Sequence, residues 1–148
     1  MTTLCLATIA AFFLGLLAGS LLLEGLVLVP FFRKLKPEEF FSFHPIVGQQ
    51  LFRYFAPLTS LAVFMPIISA IWAGGSNIGL NISAAASLIV LLFFPFYFKN
   101  AHEAFSNGQV PTDELPERLA KWGKVHSART MVAVAAFGLA VFSVHAIN

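Results

Sequence analysis

The chain has 148 residues, 58% of them hydrophobic and 11% charged, with a mean hydropathy of +0.82. A water-soluble domain of this length carries roughly a quarter charged residues, so the composition excludes an ordinary soluble domain and points to the bilayer. The net charge of +2 comes from basic residues interleaved with Glu38, Glu39, Asp113, Glu114 and Glu117, a pattern that argues against nucleic acid as a partner, and the single Cys5 allows neither an internal disulfide nor a cysteine metal cluster.

Four apolar runs, roughly Leu4–Phe32, Val47–Trp72, Ile82–Phe98 and Val125–Ile147, are long enough to span a bilayer, which takes at least ~17 residues, the third being the shortest. They predict an all-α, integral membrane four-helix bundle, one domain over residues 1–148, in contact with membrane lipids. All nine Lys and Arg lie at or near the first-to-second and third-to-fourth connections, and Gly74–Asn81 and both termini carry none. The positive-inside rule then places both charged connections in the cytoplasm and both termini outside. Met1–Gly19 lacks a basic leader and is too long for a signal core, so it reads as a retained first span.

The first helix carries small residues at Ala7, Ala11, Gly15 and Gly19, a ladder that admits another helix backbone, either in its own bundle or across a homodimer. Glu24 follows, nine residues before Arg33 and so about 13 Å from the basic boundary. An ionisable group at that depth costs about 2.5–3.5 kcal/mol to insert unless it faces a partner or water. It is either held inside the bundle by hydrogen bonds or used as an ion-pair partner or proton carrier. Pro30 has no N–H to donate and is expected to loosen the last turns near Glu24.

Arg33–His44 mixes charge with Phe40, Phe41 and Phe43, and is expected to include a short in-plane interfacial segment with His44 at the interface. The second helix opens with Gln49, Gln50, Arg53 and Tyr54; Arg53 either snorkels to the headgroups or joins an inward polar cluster. Pro57 and Pro66 predict kinks, and Trp72 marks the outer interface. The third helix ends with Tyr97 and Asn100 at helical spacing, after which His102 and Glu103 read as solvated. Asn107-Gly108 makes a turn, and Pro116 restarts the chain as a helix. In the fourth helix Trp122, His126 and Arg129 stand at i, i+4 and i+7 and share one face.

In an up-down bundle the basic halves of the helices are expected to gather Glu24, Arg53, Tyr54, Tyr97, Asn100, Trp122, His126 and Arg129. Guanidinium, imidazole, amide and aromatic groups together suit an acidic or phenolic lipophilic ligand. The other reading is a polar network that only locks the helices together. No Glu-x-x-His pair lies on a span, and of the two histidines that could face each other for a haem, His44 and His126, His44 is poorly placed.

The layout resembles the anthrone-oxygenase-like family of small four-helix membrane proteins. The residues that carry the likeness are Val29-Pro30, Gly48 with Arg53, Pro95-Phe96 with Asn100, and above all Trp122…His126…Arg129. The third helix departs from the family pattern, having Pro95-Phe96-Tyr97 and Lys99-Asn100 in place of Pro-Tyr-Thr and Thr-Asn. The resemblance implies a cofactor-free oxygenase acting on polycyclic anthrones. His126 would be the base, Arg129 and Arg53 would stabilise the enolate, Asn100 would bond a carbonyl and Trp122 would stack. The competing class is a non-enzymatic accessory subunit of a larger membrane complex, which should co-purify with its partners; an enzyme should run alone or as a homo-oligomer.

Overall fold

Three short polar breaks interrupt the apolar sequence, and the chain reverses at each. The computed structural model describes residues 2–147, which form α1 (Thr2–Phe32), α2 (Pro37–Trp72), α3 (Ile78–Ser106) and α4 (Leu115–Ile147), with no strand among the described residues. Successive helices are antiparallel, and each packs chiefly on two neighbours in the ring α1–α2–α3–α4. All four are long and apolar enough to cross a membrane. Their outward faces carry large apolar side chains, such as Leu26 and Met131, that are three-quarters exposed. Only lipid makes such a surface favourable, and the protein is an integral, multi-pass four-helix bundle.

The turns follow from their residues. Gly74 and Gly75 both hold positive φ between α2 and α3, a conformation glycine adopts without strain. Asn77 then caps α3, its side chain accepting from the Leu80 N–H at 3.0 Å. Pro37 opens α2 behind Lys36, whose N–H donates to the Glu39 carboxylate at 3.0 Å.

That start corrects one expectation. The link from α1 is only the turn at residues 33–36, and the residues expected to lie in-plane are the first two turns of α2. Phe40 and His44 are buried there, and Phe43 is exposed. A helix of 36 residues is about 54 Å long, against a hydrocarbon core of about 30 Å, so these turns continue the bundle along its axis beyond the length a span requires.

The interior changes character along that axis. Near the termini it is narrow, built from Ala7, Ala70, Leu80 and Ala84. The middle packs Leu14, Leu17 and Leu21 of α1 against Ala133, Ala136 and Ala140 of α4. There Ser83 donates to the Ala136 carbonyl at 2.8 Å, a buried bond between α3 and α4. The basic end is wide and aromatic, with Phe32, Phe40, Phe98, Phe105 and Trp122 packed together. The small-residue ladder of α1 is used mostly inside this bundle. Ala7 and Ala11 are buried, and a Cβ added at Gly15 would meet the ring of Phe137 at 2.9 Å.

Two helices widen by one turn just below the aromatic end. Glu24–Leu28 and Phe94–Phe98 are π-helical, closed by the Val29 N–H to the Glu24 carbonyl and the Lys99 N–H to the Phe94 carbonyl. Pro30 lies just after the first and Pro95 inside the second, and each withdraws an N–H from the ordinary ladder. By contrast α2 runs through Pro45, Pro57 and Pro66 without interruption.

Candidate functional site

The two widened turns face α4 where it carries Trp122, His126 and Arg129. All three are buried, together with Glu24 in the π-turn of α1. Glycines bring α1 and α4 together here. A Cβ on Gly123 would stand 3.0 Å from Val29, and one on Gly25 would stand 3.2 Å from the His126 ring.

His126 is clamped on both sides. Its ring stacks on Trp122 at 5.8 Å and takes the edge of Phe98 at 6.3 Å. Its Nε2–H donates to the Leu21 carbonyl at 2.9 Å. A carbonyl can only accept, so this bond fixes the proton on Nε2 and leaves Nδ1 as the free nitrogen of the neutral ring. Nδ1 is buried without a hydrogen-bond partner and stands 3.9 Å from Glu24 Oε2.

Arg129 follows one turn along. Its guanidinium lies over the rings of Phe98 at 5.1 Å and Phe55 at 5.9 Å, which favours the cation through the ring quadrupoles. Its Nε is sealed from solvent with no acceptor, as is Trp122 Nε1. Buried donors without partners are rare in folded proteins, and here two lie two turns apart on one face of α4.

Beside them, between α2 and α3, lies a cleft of about 630 Å³. Its walls are largely apolar, with Phe52, Phe55 and Ala56 on one side and Val90, Phe94 and Phe98 on the other. Glu24 and Arg129 reach it from α1 and α4 and form its back. Towards the basic end it becomes polar, with Gln49, Lys99, His102, Glu103 and Ser106. That volume and mix of walls lie within the range of small-molecule pockets, about 300–1,000 Å³.

The other residues expected in the cluster lie elsewhere. Arg53 and Tyr54 are exposed on the outer side of α2, and the Tyr54 hydroxyl pairs with Ser20 Oγ at 2.7 Å along the α1–α2 seam. The stripe Gln50, Arg53, Tyr54 and Pro57 exists, but it faces outward: all four are exposed, while α2 turns Gln49, Phe52, Ala56 and Thr59 to the cleft and buries His44, Leu58, Ala62 and Val63. Tyr97 and Asn100 line a separate, smaller pocket with Gln109, Arg118 and Lys121. His126 and Trp122 sit behind the cleft rather than on its wall.

Two residues read from sequence as peripheral are central. His44 is buried, and its ring stacks on His102 at 5.3 Å. His102 Nδ1 is 3.2 Å from His44 Nε2, and His44 Nδ1 is 3.4 Å from Ser106 Oγ. The sequence does carry a signal for them: each histidine follows a buried phenylalanine by four residues, Phe40 and Phe98, and so extends an inward aromatic stripe.

No family model, curated protein or solved structure matches this chain.

Proposed function

We propose that the protein binds a lipophilic aromatic molecule with an acidic or phenolic oxygen in the α2–α3 cleft, and oxidises it in the manner of the cofactor-independent anthrone oxygenases. The observation that carries this reading is Arg129. It is a buried guanidinium with an unpartnered Nε, held between phenylalanine rings at the back of an apolar, ligand-sized cleft. An oxyanion on a flat aromatic ring supplies both what that cation lacks and what those walls stack on.

In this reading Arg129 holds the enolate oxygen. The activated CH₂ of the substrate gives one proton to the Glu24–His126 pair, whose member on the cleft wall is Glu24. The resulting carbanion adds to dioxygen, and the hydroperoxide loses water, so that CH₂ and O₂ become C=O and H₂O. His126 then acts from behind Glu24, and Trp122 and the Leu21 carbonyl set its ring and its tautomer. Both basic connections face the cytoplasm, as the positive-inside rule requires. An accessory subunit is the weaker reading, since the helix ladder that would have served an external partner is mostly spent within the bundle.

Native mass spectrometry of the protein in mild detergent, incubated with 1,8-dihydroxyanthrone, tests this. Wild-type protein should retain the aromatic molecule and consume one O₂ per anthrone oxidised, and Arg129→Ala should lose both. Stoichiometric foreign subunits with an empty cleft would overturn it.

A further inference from the structure

The stacked histidines between α2 and α3 have no part in the chemistry above, although His102 lines the same cleft. The hydrogen-bonded chain runs from Ser106 Oγ to His44 Nδ1, and from His44 Nε2 to His102 Nδ1. Ser106 is exposed at the polar end of the cleft, His44 is almost completely buried, and His102, one turn further in, is half-buried on the cleft wall with Nε2 as the atom left over. We propose that Ser106, His44 and His102 form a proton relay that connects water at the polar mouth of the cleft to a ligand bound further in.

Donor and acceptor parity ties the links of the chain together. Each ring, when neutral, has one N–H and one lone pair, so fixing one bond fixes the others. If Ser106 donates to His44 Nδ1, then His44 donates from Nε2 to His102 Nδ1, and His102 presents an Nε2–H to the cleft. If every bond is reversed, His102 donates from Nδ1 to His44, His44 donates from Nδ1 to Ser106, and a bare Nε2 faces the cleft. The two arrangements differ by one proton shifted along each link.

Delivery to a ligand therefore balances without charging either ring. His102 gives up its Nε2 proton, His44 passes its own to His102 Nδ1, Ser106 passes its own to His44 Nδ1, and water replaces the serine proton. The reverse sequence carries a proton out. The surroundings suit this transfer: Phe32, Phe40 and Phe105 enclose His44 and keep competing water off the central link. Trp122 and Phe98 pack against His102, and Lys99 and Glu103 of the same helix also line the cleft.

The relay deepens the function proposed above but is tested without it. In ¹⁵N-histidine-labelled protein in detergent, His44 Nε2 and His102 Nδ1 should show coupling across the shared proton. Both rings should give tautomer-averaged shifts that move together in Ser106→Ala. Rings locked in single tautomers without coupling would overturn the relay, as would His102 shifts indifferent to Ser106→Ala. His44→Phe keeps the aromatic packing and cuts the chain. A stopped-flow pH jump on bound 1,8-dihydroxyanthraquinone, followed by its absorbance, should then show protonation at least tenfold slower at unchanged affinity. Equal rates would also overturn the relay. If the dye does not bind at all, the cleft reading fails, and the nitrogen spectra alone decide the relay.

Discussion

Gly25→Ala separates the stability of the bundle from the geometry of its site. The new Cβ would lie 3.2 Å from both Cδ2 and Nε2 of His126, so the ring has to yield by a few tenths of an ångström. It cannot do so freely, because Trp122 stacks on it and Phe98 abuts it. The displacement falls on the 2.9 Å bond from Nε2 to the Leu21 carbonyl. A hydrogen bond between helices in a membrane contributes about 0.6 kcal/mol on average and about 1.7 at most. Replacing a helical glycine by alanine returns about 0.5–1 kcal/mol. The opposing effects nearly cancel, and unfolding in a titration with sodium dodecyl sulfate should shift by less than about 1 kcal/mol. The His126 Nε2–H resonance should nevertheless move upfield, as a lengthened bond requires, and retention of an anthrone should fall with it. An unmoved Nε2–H signal, or a loss of stability above about 2 kcal/mol, would refute the reasoning.

Other substitutions test separate parts of the structure. Ser83→Ala removes the buried bond to the Ala136 carbonyl and should destabilise the bundle by about 0.6 kcal/mol, at most about 1.7, in the same titration. Ala136→Leu adds three carbons to a fully buried position between α1 and α4 and should cost about 1–3 kcal/mol by overpacking. Trp122→Phe removes an unpartnered indole N–H along with some packing, so it should be tolerated within about 1–2 kcal/mol, where an ordinary core truncation to alanine costs about 3–5. Arg53→Ala and Tyr54→Phe, both on the outer face, should leave anthrone retention in native mass spectrometry at the wild-type level.

The helices were legible because hydropathy reports burial in lipid directly, and the glycine and proline breaks between them carry their own conformational demands. Their ends were less so. Pro37–His44 and Lys99–Ser106 are helical yet polar or aromatic, and they stand beyond the length that a hydropathy run detects. In the site, the alignment of Trp122, His126 and Arg129 on one face follows from helical periodicity alone. Periodicity does not say which face of α2 meets the bundle: Gln49 and Arg53 are neighbours at i and i+4, yet Gln49 lines the cleft and Arg53 does not. Pairings across helices are further out of reach. His44 and His102 are 58 residues apart, and their meeting depends on the relative height of two helices, which the turn at Gly74 and Gly75 sets.

The bond from His126 to Leu21 joins residues 105 positions apart, the first helix to the last. During synthesis α1 is therefore complete long before α4 exists, and Glu24 enters the membrane while Arg129 is still unmade. For that interval its insertion penalty of about 2.5–3.5 kcal/mol has no partner to offset it. The hydrophobic sequence around Glu24 has to hold the helix in place unaided, and arrival of the fourth helix closes the ring. A nascent chain halted after Ser106 should therefore be the form most open to quality-control proteolysis, and Glu24→Leu should protect that form while leaving the finished protein without its site.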